Sequence, residues 1–189
     1  MAKQKHLTKN ELLRKYKALQ DLKKNTSKAP FTAMATVCNY TLWKDEHWYQ
    51  KKLAEYNQRV AEYDRRIDEG EVTLSWLNKR LKERADFEIG YVSYTYADIP
   101  AAAKKNSFLY SIEKQVIDAN NEINDWSIRY LLIHYNVLID MGYGFKRLNR
   151  NKEQLSYWLG IDSESRGTKV MDLHRELADY AGIYIEMPI

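Results

Sequence analysis

The chain has few residues that break helices or cross-link a fold. Its 189 residues include three Pro, seven Gly and a single cysteine, Cys38. So few breakers favour helices. A single cysteine excludes an intramolecular disulfide and a zinc site built from several thiolates. Cys38 lies in an apolar run, so we expect it to pack as a small hydrophobic side chain.

Long apolar runs are absent as well. The N-terminal sequence MAKQKHLTKN is basic but lacks the apolar core of a secretory signal, and no stretch approaches transmembrane length. We therefore expect a cytoplasmic protein that does not engage a membrane. Aromatic residues reach 13%, which is too many for a disordered chain. The length suits one domain, or two small domains that share a core.

Recognisable catalytic and cofactor motifs are also missing. No GxxxxGK[ST], GxGxxG, GxSxG or HExxH pattern is present. Asp45, Glu46 and His47 could touch a metal, but an acidic helix end explains them more simply. Four histidines lack metal-ligand spacing: His6, His47, His134 and His174. We therefore predict a protein that acts by binding, with no enzymatic activity, no cofactor and no metal site.

Positive charge is concentrated at the N-terminus. The whole chain has a formal net charge of +4, whereas residues 1–28 hold nine Lys or Arg against two acidic residues, a local charge of +7. Thr8 and Glu11 match a capping box that opens a helix. This basic arm is predicted to contact phosphates through Lys15, Lys17, Lys23 and Lys24. The simpler alternative is a docked helix whose lysines keep it soluble.

A weak internal repeat organises the remaining chain. Val37–Leu53 aligns with Leu132–Leu148 at a shift of 95 positions, and residues 81–91 align with 174–184 at a shift of 93. The matched pairs include Tyr40 with Tyr135, Asp45 with Asp140, Trp48 with Tyr143, and Leu53 with Leu148. We interpret the repeat as two copies of a three-helix module, residues 31–95 and 126–189. A basic arm, residues 1–30, precedes them, and a connector, residues 96–125, joins them.

Apolar spacing predicts where the helices lie. The predicted helices are Phe31–Lys44, a seam from Leu53 to Ile67, Thr73–Asp86, Ser107–Met141, Phe145–Leu159 and Lys169–Tyr180. The long helix would break, if anywhere, at Asn120, Asn121 or Asn124. Ile89–Ile99 and the C-terminal GIYIEMPI have the composition of strands. The predicted fold class is therefore all-α, or α with a minor two-stranded sheet.

A basic pair recurs at the start of the middle helix of each copy. Lys51–Lys52 follows Trp48, and Lys146–Arg147 follows Tyr143. Lys and Arg can neutralise phosphates while an aromatic ring stacks on a base or sugar. We therefore predict two grips on nucleic acid, with the four basic residues as phosphate contacts and Trp48 and Tyr143 as aromatic contacts. The alternative is a solvated helix face beside an aromatic core residue.

The turn that carries each pair has a recognisable pattern. It joins an aromatic or aliphatic helix to K-[KR]-L, as in DEHWYQKKLAEY and MGYGFKRLNR. This pattern resembles small uncharacterised accessory proteins of phages and prophages of Gram-positive bacteria, over about fifteen residues in each copy. The first copy departs from it, with His47 and Tyr49 in place of Gly142 and Gly144.

The resemblance implies a phage or mobile-element setting, hence the cytoplasm of a host cell, and no catalytic residue. Such proteins bind nucleic acid, a replication or packaging machine, or a host defence complex such as a CRISPR nuclease. The leading hypothesis is a non-enzymatic phage-type accessory or regulatory protein that engages nucleic acid or a nucleoprotein complex.

Two other hypotheses stay open. A slightly acidic body and surplus Tyr and Trp suggest a protein-binding inhibitor of a host defence enzyme, of the anti-CRISPR kind. An enzyme with an unrecognised helical site is the second alternative. The long heptad helix allows a homodimer, while the internal repeat allows a monomer.

Overall fold

The structure, a computed structural model, describes residues 9–24, 29–90, 93–160 and 170–185. Within these ranges the chain is all-α, as predicted. The fold divides into two compact units: Met1–Pro30 with Tyr91–Trp126, and Phe31–Gly90 with Ser127–Ile189. The first unit thus groups the predicted arm with the whole connector, and the second groups most of both predicted modules. No helix in the described ranges is long and apolar enough to cross a membrane.

The described ranges contain eight α-helices and two short helical turns. The helices are α1 (Lys9–Lys24), α2 (Ala29–Lys44), α3 (Gln50–Asp68), α4 (Leu74–Ala85), α5 (Ala101–Lys104), α6 (Ser107–Asp140), α7 (Phe145–Leu159) and α8 (Val170–Glu176). A 3-10 turn forms at Tyr96–Asp98, and a π-helical turn at Leu177–Ala181 follows α8. The long helix runs without a break from Ser107 to Asp140, which answers a question that the sequence leaves open, and the predicted stop at Gly142–Gly144 is confirmed.

The second unit is built around two buried helical segments. Every residue of α2 from Met34 to Leu42 is buried, and so is every residue of α6 from Leu132 to Leu138. A helical segment that is buried on every face must be covered by neighbours on every face. Side chains from α3, α4, α7 and α8 join the same apolar core. The core therefore draws on both predicted modules.

Positions related by the 95-residue shift lie in similar environments within this unit. Leu53 and Leu148 are both fully buried. The backbone has positive φ at His47 (54°) and at Gly142 (86°), so the two turns share a left-handed residue although only one is glycine. The duplication stays a prediction, and these shared environments favour it.

Two side-chain contacts run reciprocally between the halves of the second unit. Trp158 Nε1 donates to Asp45 Oδ2 at 2.8 Å, and the Tyr63 hydroxyl donates to Asp140 Oδ2 at 2.8 Å. A shift of 95 turns Asp45 into Asp140 and Tyr63 into Trp158. Reciprocal pairing of this kind is what a twofold relation produces, because residue i meets j while the counterpart of j meets that of i.

The predicted strands do not form in the described residues. Tyr94 lies in the segment predicted as a strand, but its backbone N–H donates to Asn121 Oδ1 and its C=O accepts from Asn121 Nδ2, both at 2.9 Å. A side-chain amide thus satisfies the groups that a neighbouring strand would have paired. The chain then enters the 3-10 turn, where the Thr95 N–H donates to Asp98 Oδ2 at 2.8 Å.

The C-terminal strand prediction is wrong for its described part, because residues 182–185 are irregular. Tyr91, Val92 and residues 186–189 lie outside the described residues. The last predicted helix begins at Val170 and continues into the π-helical turn, while Lys169 also lies outside.

The first unit has its own small core. Leu19 of α1 is 1% exposed and shares a small groove with Ile112 and Val116 of α6. A second cluster forms from Ile99, Ala103 and Leu109. The described helix of the predicted basic arm, α1, is therefore packed through one face.

Candidate nucleic-acid interface

The N-termini of α3 and α7 carry the two predicted basic pairs. Neither helix has an acidic residue in its first turn, and neither N-cap residue, Tyr49 or Gly144, makes a side-chain cap hydrogen bond. The N-terminus of a helix carries partial positive charge, so acidic residues are favoured there. Basic residues at these two ends add to the positive field instead of cancelling it.

A stack of four side chains links the two basic pairs. Lys52 Nζ lies 4.1 Å from the centre of the Trp48 ring, and Arg147 Cζ lies 3.8 Å from the centre of the Tyr143 ring. The two rings meet edge to face, with centroids 5.9 Å apart. The separation of Lys52 Nζ from Arg147 Cζ therefore cannot exceed the sum of these three distances. The structure thus brings one cation of each predicted pair, Lys52 and Arg147, near the other.

The role predicted for Trp48 and Tyr143 as partner-facing aromatics is wrong. Trp48 is 2% exposed and Tyr143 is 3% exposed, so neither ring can stack on a base. Each ring packs against the other and is covered by a cation of its own half. Both are aromatic core residues, as the alternative interpretation has them.

Two other aromatic residues are exposed beside the basic pairs. Tyr49 is 75% exposed and Phe145 is 50% exposed. The repeat could not mark them, because Tyr49 aligns with Gly144 and Phe145 aligns with Gln50. The available signal was only the adjacency of each to a basic pair. We call the region formed by these aromatics and the neighbouring cations the paired basic face: Tyr49, Lys51, Lys52, Phe145, Lys146, Arg147 and Arg150.

Three lysines of this face are exposed and have no carboxylate partner among the described residues, although Lys52 also lies over the Trp48 ring. Lys51, Lys52 and Lys146 are exposed. In the part of the chain that the structure describes, no carboxylate lies within 4.0 Å of their ammonium groups. Their predicted phosphate contacts remain a prediction that the geometry allows.

Arg147 is exposed but shares a nearly buried carboxylate with a neighbour. Glu46, whose side chain is 3% exposed, accepts hydrogen bonds from Arg147 Nη2 (3.1 Å), Arg150 Nη2 (2.7 Å) and the Tyr143 hydroxyl (3.0 Å). Burial raises the pKa of Glu46, but hydrogen bonds from Arg150, Arg147 and Tyr143 outweigh it and hold the pKa below its ordinary value. The carboxylate is therefore charged at neutral pH.

The basic arm is only partly described. Lys15 forms an ion pair with Glu113 of α6, so part of its charge is neutralised within the first unit. Lys17 is exposed. The side chains of Lys23 and Lys24 lie outside the described residues. Phosphate contacts by the arm remain predictions.

A buried polar chain crosses the second unit. His134 Nε2 lies 2.8 Å from Asn151 Oδ1, which can only accept, so Nε2 carries the proton. His134 Nδ1 then accepts from the Tyr56 hydroxyl at 2.7 Å, and Tyr56 lies 3.2 Å from the Tyr130 hydroxyl. Burial lowers the pKa of His134 to about 4, so the ring is neutral.

This chain is closed to solvent, because His134 and Tyr56 have no exposed surface. It therefore has the properties of a structural network that ties the two halves together. Among the described residues, no three His, Cys, Asp or Glu side chains come together in a way that could hold a metal ion. Asp45, considered above as a metal contact, instead accepts from Trp158.

An open groove of about 760 Å³ runs along α3. It is lined by both signs of charge, and two of its three arginines pair within it: Arg59 lies 2.8 Å from Glu55, and Arg65 lies 2.8 Å from Glu62. Because acidic and basic side chains are equally numerous in its lining, the groove favours neither an anionic nor a cationic ligand.

No protein-family model, curated protein or solved structure matches the chain. Its function has to be inferred from the residues themselves.

Proposed function

We propose that this chain is a non-enzymatic accessory or regulatory protein that binds nucleic acid, free or in a nucleoprotein complex, through the paired basic face. The observation that carries this proposal is the contact between the turns that begin α3 and α7, Trp48 against Tyr143, beside exposed lysines that have no carboxylate partner in the described structure. The setting we propose is the phage or mobile element that the repeated turn pattern suggests.

The chemistry of the face suits a nucleic-acid strand. Ammonium groups from both halves can neutralise successive phosphates and release their counterions, a contribution that does not depend on base sequence. Tyr49 and Phe145 offer exposed rings beside these cations, and every base has a face that can stack on such a ring. Together they supply the two kinds of interaction that strand binding without sequence preference needs.

The test is binding of labelled single-stranded and duplex DNA and RNA, measured by fluorescence anisotropy from about 50 to 200 mM salt. The double variant Lys51→Gln with Lys146→Gln should weaken binding and reduce the slope of log affinity against log salt by about two, one for each phosphate that the variant no longer neutralises.

The matched control removes the same charge from α4, with Lys79→Gln and Lys82→Gln, whose side chains are 74% and 61% exposed. This control should keep the salt slope of the wild type. Absence of binding at the lowest salt, or equal losses in both double variants, contradicts the proposal.

A second candidate is the protein-binding inhibitor of a host defence enzyme. It is favoured by exposed aromatic side chains outside the paired basic face, since aromatic residues dominate interface hot spots: Trp76, Tyr157, Tyr180 and Tyr184. The test is purification from the natural host, followed by reconstitution with the purified partner. Absence of a stoichiometric protein complex contradicts this candidate.

A further inference from the structure

We infer that Arg147 and Arg150, held in place by Glu46, form the principal phosphate-binding position of the paired basic face. This inference rests on the proposed function and adds to it a specific place where one backbone phosphate is held. Glu46 acts in it as a positioning residue, since it would touch the arginines and not the nucleic acid.

The first support is the difference in exposure. The side chains of Arg147 and Arg150 are 46% and 56% exposed, whereas Glu46 is 3% exposed. Both guanidinium groups thus reach solvent while the carboxylate that anchors them does not. An arriving phosphate meets arginine, and Glu46 is screened from it.

The second support is the number of donors that remain. Each guanidinium has five N–H groups. Glu46 receives Nη2 of Arg147, and both Nε (3.2 Å) and Nη2 (2.7 Å) of Arg150. Nη1 of both arginines and Nε of Arg147 are not used by this carboxylate. The cluster of two guanidinium groups and one carboxylate keeps one positive charge, which matches the single negative charge of a phosphodiester.

The third support is that the arginines are fixed before any ligand arrives. Arg147 is held twice, by Glu46 and by the ring of Tyr143 at 3.8 Å. Arg150 makes a two-point contact with one oxygen of Glu46. Planar, already ordered guanidinium groups lose less conformational freedom when they bind a phosphate than flexible lysines do.

The first half of the unit has no such cluster. At a shift of 95, Glu46, Arg147 and Arg150 correspond to Met141, Lys52 and Glu55. Glu55 is bound to Arg59 of its own helix at 2.8 Å. The two ends of the paired basic face are therefore unequal: one holds a phosphate by fixed guanidinium groups, and the other supplies lysine point charges. We expect a bound strand to be anchored at the Arg147–Arg150 end.

The test turns on the sign of one substitution. Glu46→Gln raises the net charge by one, so attraction alone predicts tighter binding. The positioning role predicts weaker binding instead, by about tenfold, because each arginine loses a charge-assisted hydrogen bond to its anchor. The salt slope should also fall by about one, although the protein has become more positive.

The matched control is Glu55→Gln, which makes the same change in charge at the corresponding helix of the first half. It should bind the same labelled 20-nucleotide strand as tightly as the wild type or slightly more tightly. A second pair of variants keeps the charge and removes only the guanidinium fork. Arg150→Lys should weaken binding about tenfold, and Arg59→Lys should leave it within about twofold. Thermal unfolding of all four variants shows which are folded, and Arg150→Lys changes only an exposed side chain.

The outcomes separate the two proposals. If the wild type binds no strand, the proposed function fails, and this inference fails with it. If the wild type binds and a folded Glu46→Gln variant binds equally or more tightly, this inference alone is overturned. Equal binding by Arg150→Lys and the wild type overturns it as well.

Discussion

In residues 31–90 the turn before α3 places Trp48 beneath Lys52, and in residues 127–185 the turn before α7 places Tyr143 beneath Arg147. The apolar anchors of the two halves are similarly alike, since Leu53 and Leu148 are both fully buried. Several other corresponding positions hold different residues. At a shift of 95 the pairs are Glu46 with Met141, Asn39 with His134, Tyr56 with Asn151, and Glu55 with Arg150.

The two halves therefore agree at apolar core positions and differ at polar positions. Apolar residues at corresponding positions, such as Leu53 and Leu148, pack in the core of each half and form its helical scaffold. Polar residues at unequal positions build features that exist once: the anchored arginine pair and the buried histidine chain. Each feature contains residues from both halves, so the polar residues that differ between the halves also hold the halves together.

The largest expected effect tests whether the scaffold is shared. Leu53→Ala and Leu148→Ala should each lower the free energy of unfolding by about 2–5 kcal/mol, because each leaves a cavity in a fully packed site. Urea denaturation of the two variants measures this. If one variant loses less than about 1 kcal/mol of unfolding free energy, Leu53 and Leu148 are not equivalent core positions. Leu13→Ala, at a side chain that is 57% exposed, is the control and should change little.

A slightly smaller effect concerns the histidine that only the second half possesses. The pKa of His134 is about 4 in the folded protein, against 6.5 when exposed. Below pH 6.5 the unfolded chain takes up a proton that the folded protein does not. Stability should therefore fall by about 3 kcal/mol as the pH drops from 6.5 to 4.

Urea denaturation at several pH values measures this slope, and His134→Gln should flatten it. The variant should also be less stable than the wild type at pH 7, because its side chain cannot reproduce both hydrogen bonds of the imidazole. If the free energy of unfolding of a folded His134→Gln variant depends on pH as it does in the wild type, His134 is not the cause of that dependence.

The reciprocal contacts should each show a coupling of about 1 kcal/mol. One double-mutant cycle combines Tyr63→Phe with Asp140→Asn, and the other combines Trp158→Phe with Asp45→Asn. Both should give coupling of the same sign, since both pairs lie at 2.8 Å. Coupling in one cycle only would count against the predicted twofold relation.

The smallest effect concerns the two left-handed turn residues. His47→Gly should stabilise the protein by up to about 1 kcal/mol, because positive φ is unfavourable for a residue with a Cβ. Gly142→Ala should destabilise it by a similar amount. Thermal unfolding measures both. A gain in stability for His47→Gly and a loss for Gly142→Ala would show that the two turns share a backbone conformation, which is strained only at His47.

The helices could be predicted from local sequence because their ends are local. Gly142–Gly144 stops α6, Gly160 follows α7, and the Thr73 side chain accepts from the Trp76 N–H to begin α4. The strand at Tyr94 was predicted wrongly because its partner, Asn121, is 27 residues away and is a side chain. Composition gives no sign of such a partner.

The sequence predicts the cations of the proposed site, and they stay a prediction; it does not point to the exposed aromatics or to Glu46. Spacing cannot show which of the adjacent residues Trp48 and Tyr49 faces the core, and the more hydrophobic ring turned out to be the buried one. Glu46 could not be identified as an anchor, because its two arginines lie 101 and 104 residues away in the sequence. Contacts of that range appear only once the helices are packed.

The reciprocal pairs also have a consequence for a fragment of this chain. Asp45 finds its donor Trp158 in the opposite half, Asp140 finds Tyr63 there, and Tyr56 finds His134. A polypeptide made of one half alone would leave these polar groups without their hydrogen-bond partners. Two complementary fragments expressed together should instead recognise each other, so this protein offers a natural division for split-protein reassembly.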